Sequence, residues 1–136
     1  MALQYAVKPK TILLCDYDMG GFMPPEMVKR RPAVVLMGAL PRRDKLLTVV
    51  PLSGTEADPR NRYQCRIELA SPLPSPFAEQ VWWVKADMIA TVSFARLELF
   101  RTPRDQYGKR KYLSDLRVSD LQFEEIRTAV RHALGL

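Results

Sequence analysis

Apolar residues along this chain fall into short, β-branched runs separated by turn residues, and only the last segment follows a helical period. Residues 11–17 form the first apolar run, bounded by Pro9 and Gly20-Gly21, and are predicted to be a buried strand. Residues 33–37 and 46–52 are two further runs, joined by the basic turn 38–45, and predict an antiparallel pair. Residues 63–69 alternate, with Tyr63, Cys65, Ile67 and Leu69 on one face and Gln64, Arg66 and Glu68 on the other. Residues 81–84, containing Trp82 and Trp83, predict another strand with one ring in the core and the other on the opposite face, free for an interface or for stacking a base. Residues 88–92 predict a short strand, and 97–101 with 111–113 predict the arms of a hairpin around 105–108.

Two long connections interrupt this pattern. Residues 18–31 carry Gly20, Gly21, Pro24 and Pro25, too broken for a helix, and Pro32 biases Arg31 toward an extended backbone. Residues 71–76 carry three prolines and are predicted to be a loop. At the end, Ser119 followed by Gln122 has capping-box spacing, and Phe123, Ile126, Val130, Ala133 and Leu134 recur at steps of three or four up to Gly135. The expected fold is mainly β with α: a single domain over 1–136 built as a small antiparallel barrel closed by a C-terminal amphipathic helix.

Composition narrows the chemistry. Lys and Arg number 21 against 15 Asp and Glu, a formal charge of +6, which favours an anionic partner, nucleic acid or an acidic protein segment. The only histidine, His132, lies in the last helical turn, where the macrodipole favours a cation. A two-histidine ribonuclease mechanism within one chain, a His-based triad and most zinc sites are thereby excluded, and no phosphate-cradling glycine loop exists. No metal and no cofactor are expected. Cys15 and Cys65 are far apart with no CxxC spacing, 1–10 lack a signal-peptide pattern, and no run reaches the roughly 20 apolar residues of a membrane span. A reduced, cytoplasmic setting is the expectation.

Phosphodiester chemistry then falls to guanidinium, carboxylate and hydroxyl groups. Cleavage of RNA by its own 2′-hydroxyl needs a proton acceptor, a cation at the phosphorane charge and help for the leaving oxygen. Arg31 suits the second task, Ser53 at the end of the next strand offers a hydrogen bond, and Glu26 either accepts the proton or orients Arg31. A solvated or salt-bridged Arg31 and a simple Ser-Gly-Thr turn are the plainer readings of the same residues.

The blocks Arg31-Pro32-Ala33-Val34-Val35-Leu36, Val49-Val50-Pro51-Leu52-Ser53 and 85–92 followed by Arg96-Leu97, in this order and ahead of a terminal helix, resemble the MazF/PemK toxins of type II toxin-antitoxin modules. The first loop is particularly similar to the PemK-like branch. The resemblance implies an SH3-like barrel of the MazF/CcdB kind, a homodimer holding single-stranded RNA, and metal-independent cleavage to a 2′,3′-cyclic phosphate and a 5′-hydroxyl. Carried over by position, it implies Arg31, Ser53, Glu26 and Asp87 as catalytic residues and Lys29, Arg30, Lys85 and Thr55 as RNA contacts. It also implies an acidic antitoxin as protein partner, with DNA met only through the antitoxin complex. The alternative is a non-catalytic binder: a gyrase poison, which would use a C-terminal aromatic end where this chain has Leu136, or a module for RNA or acidic peptides.

Overall fold

The computed structural model describes residues 1–19 and 21–136; Gly20, named above as a strand boundary, lies outside the described residues. The strands are β1 (Ile12–Asp16), β2 (Arg30–Met37), β3 (Leu46–Ser53), β4 (Gln64–Glu68), β5 (Val81–Lys85), β6 (Ala90–Ser93), β7 (Leu97–Glu98), β8 (Phe100–Arg101) and β9 (Tyr112–Leu113), followed by the helix α1 (Asp120–Leu134). All pairings are antiparallel. The main sheet runs β4-β5-β3-β2-β1-β7, with β6 also on β3, and β8 pairs with β9 in a separate ribbon. Its end strands β4 and β7 are not paired with each other, so the sheet does not close as a barrel.

The central strands are continuously apolar because both their faces are covered. Ile12, Leu14, Val34, Val50 and Leu52 point to one core, where Ile67, Trp82, Phe123 and Ile126 meet them. Leu13, Cys15, Ala33, Val35 and Val49 point to a second core on the other face, closed by Leu3, Tyr17, Phe94 and Leu97. Helix α1 covers the first core. Ser119 and Gln122 form the expected capping box and Gly135 ends the helix at φ 72°. The buried stripe is Phe123, Ile126 and Ala129, while Leu134 is 54% exposed, because the last turn rotates it off the stripe.

Three boundaries differ from expectation. β2 starts at Arg30, not residue 33, because β1 pairs with it as far as Asp16↔Arg30. The expected arm 97–101 splits: Leu97 and Glu98 pair with β1, whereas Phe100 and Arg101 pair with Leu113 and Tyr112. Residues 86–88 form a 3-10 turn ahead of β6. No helix among the described residues is long and apolar enough to cross a membrane.

Candidate active site

The β2–β3 ladder ends at Ala33↔Pro51. Pro32 and Pro51 have no N–H, so the two strands part just where Arg31 and Ser53 emerge. Extended by two residues, the same register sets Arg31 across from Ser53, and cross-strand partners share a face of the sheet.

Arg31 is half-buried, and its Nε donates to the Val28 carbonyl at 2.9 Å. That bond fixes the guanidinium plane and leaves the two terminal nitrogens as a fork for an oxyanion. Burial lowers the Arg31 pKa, and Tyr17 and Asp18 act against that shift; a guanidinium stays protonated regardless. The loop before Arg31 is pinned at both ends by aspartates. Asp16 Oδ1 accepts from the N–H groups of Asp18 and Met19 at 3.0 and 3.1 Å, and Asp18 Oδ1 accepts from the Lys29 N–H at 2.6 Å. Lys29 sits in the left-handed region at φ 73°, a strained position for a residue with a Cβ, held by that bond and by its carbonyl accepting from the Tyr17 N–H. Further along, the Phe22 ring packs edge-on to Tyr17 with centroids 5.5 Å apart, under the Arg96 guanidinium at 4.7 Å.

On the opposite wall, Ser53 is 6% exposed and its Oγ accepts from the Thr55 N–H at 3.1 Å. An accepting hydroxyl keeps its own proton to donate. Lys85, at the end of β5, donates from Nζ to Gln64 Oε1 at 2.7 Å and to the Thr55 carbonyl at 3.2 Å. Burial lowers the Lys85 pKa; Asp87 acts to raise it, and the positive charge of Arg31 to lower it further. Lys85, Asp87 and Arg31 therefore lie within one electrostatic field.

Hydrogen bonds to Thr55 join Ser53 and Lys85, and Arg31 lies near enough to act on the Lys85 charge, with Asp87 exposed on the adjoining turn. It leaves three of the other expected residues outside that group. Arg30 points to the opposite face and pairs with Glu98 at 2.8 Å, a carboxylate also held by Arg101 and the Met1 amino group. The Lys29 side chain is exposed on the loop. Glu26 is exposed as well, and no ion pair joins it to Arg31. Gln64, Asp18 and the Val28 carbonyl position the site and were not anticipated. Only Gln64 left a signal, its place on the polar side of β4. His132 is exposed on α1, and among the described residues no three His, Cys, Asp or Glu side chains form a metal cluster.

Residues 8–134 match the family described as PemK-like, MazF-like toxin of type II toxin-antitoxin system. Uncharacterised protein YifN of Escherichia coli strain K12 is 32% identical, covering 76% of this chain and 80% of its own. A mycobacterial endoribonuclease solved in complex with its cognate antitoxin superposes with a TM-score of 0.60 at 20% identity, covering 94% of each chain. Crystalline MazF from Deinococcus radiodurans also gives 0.60, at 15% identity over 98% of this chain and 100% of its own. With nearly its whole length matched and the fold shared, the chain belongs to the PemK-like, MazF-like toxin family of type II toxin-antitoxin systems.

Proposed function

We propose that this protein is a cytoplasmic toxin that cuts single-stranded RNA without a metal ion. The observation that carries this reading is the grouping of Arg31, Ser53 and Lys85, with no described residue bonded to the Arg31 terminal nitrogens. A scissile phosphate seated there meets the Arg31 terminal nitrogens and the Ser53 hydroxyl at its nonbridging oxygens. Lys85 adds positive charge as the phosphorane forms. The 2′-hydroxyl loses its proton to a carboxylate, Asp87 on the adjoining turn or Glu26 brought in from the loop when RNA binds, and attacks phosphorus. The P–O5′ bond breaks, the departing oxygen takes up a proton, and the products are a 2′,3′-cyclic phosphate and a 5′-hydroxyl.

The family and the antitoxin-bound mycobacterial relative support an acidic antitoxin as protein partner, whose carboxylates would lie across the same cations and exclude RNA. The working form is a homodimer. Incubating the purified protein with a long single-stranded RNA and mapping the new ends tests the reading: discrete cuts bearing 5′-hydroxyls are expected, and intact RNA at every concentration would refute it.

A further inference from the structure

Trp82 and Trp83 are neighbours with opposite fates. The Trp82 ring is 5% exposed in the first core, and its Nε1 donates to the Glu79 carbonyl at 3.0 Å. Trp83 faces the other way, half-buried, and its indole N–H is neither bonded to a described residue nor sealed from solvent. Among the described residues no aromatic ring or cation stacks on it. Trp83 keeps part of its ring surface exposed on the sheet face that also carries Ser53 and Arg66, and a partly exposed aromatic ring beside a cation suits a nucleic-acid base.

The register places that ring with respect to the site. Ser53 pairs with Trp83 across β3 and β5, and Trp83 pairs with Arg66 across β5 and β4. A row of side chains therefore crosses three strands on one face, Ser53, Trp83 and Arg66, and the β2–β3 register, continued past its last pair, sets Arg31 on the same face at the Ser53 end. At about 4.8 Å per strand the paired row spans about 10 Å. Arg66 is exposed at the sheet edge and takes part in no ion pair with a described residue.

We propose that Trp83 and Arg66 form a substrate subsite beside the scissile phosphate, Trp83 stacking the adjoining RNA base and Arg66 holding the next phosphate. The proposal rests on the RNA-cleaving reading of Arg31 and Ser53 and adds the path of the strand, which runs across β3, β5 and β4 toward the β4 edge. Stacking is indifferent to base identity, so this subsite supplies affinity and register and leaves sequence choice to other contacts.

The test uses a short single-stranded 2′-O-methyl oligoribonucleotide, which cannot be cut by 2′-hydroxyl attack, with binding followed by tryptophan emission and by anisotropy. Wild-type emission should fall on binding; W83F should abolish the change yet keep affinity, whereas W83A should weaken it roughly tenfold. R66A should flatten the dependence of log affinity on log salt by about one phosphate contact. Folded W83A binding as tightly as wild type would overturn the proposal, as would lost affinity accompanied by a change in oligomeric state, which would assign Trp83 to a subunit contact. Trp83-dependent binding by a protein that leaves ordinary RNA intact would sink the cleavage reading alone; normal cleavage by W83A would sink the subsite alone. Absence of any binding would overturn both.

Discussion

Lys85 shows what burial does to a single charge. Partly buried and facing the positive charge of Arg31, its ammonium gives up its proton more readily than a free lysine, although Asp87 acts against that shift. Because the pKa is lowered, the charge is lost at a lower pH than the ordinary lysine value. RNA affinity should therefore fall by roughly tenfold as pH rises into the alkaline range below the ordinary lysine value, and K85R, whose guanidinium stays charged, should abolish that fall. Binding titrations across this range check it. Glu98 works in the opposite sense. Burial tends to raise its pKa, but its hydrogen bonds to Arg30 and the Met1 amino group outweigh this and the net shift is downward. A carboxylate with a lowered folded pKa stabilises the fold above its unfolded pKa, and the contribution disappears as pH falls through the folded value. E98Q should cost about 1 kcal/mol at pH 7 by urea denaturation, a gap that closes as pH falls through the lowered folded value. At this scale residue type and neighbouring prolines pointed to Arg31 and Ser53, whereas Lys85 came only from the family resemblance. The placing of Arg30 was beyond both: strand alternation sends adjacent arginines to opposite faces, and its partner Glu98 is distant in sequence.

At the scale of elements, local chemistry was read well wherever it was self-contained. The capping box at Ser119 depends on residues three apart, and S119A should lower stability by about 1 kcal/mol, visible as a shift in the thermal midpoint with RNA cleavage unchanged. The hairpin tip is likewise local: Asp105 Oδ1 accepts from the Tyr107 and Lys109 N–H groups, so this carboxylate shapes the turn in addition to offsetting its cations. The division of 97–101 between two ribbons was not legible, because it depends on β1 and β9 competing for neighbouring residues. The end of the β2–β3 ladder had visible causes, Pro32 and Pro51, although only pairing shows that both fall at the same mouth.

For the molecule as a whole, a sheet covered on both faces turns one end of its central strands into a rim that carries Arg31 and Ser53. Order of motifs identified the family, whereas openness of the sheet was hidden, since closure depends on whether β4 and β7 meet. Chemistry carried by guanidinium, hydroxyl and carboxylate alone predicts cleavage indifferent to EDTA; a rate that drops on chelation and returns with a divalent ion would reject it. The most direct measurement is the cleavage rate of a single-stranded RNA by the wild type and by R31A, with thermal unfolding of both recorded alongside. An unchanged melting profile with the rate reduced at least a hundredfold is the expected result; folded R31A cutting RNA at the wild-type rate would contradict the assignment of the site.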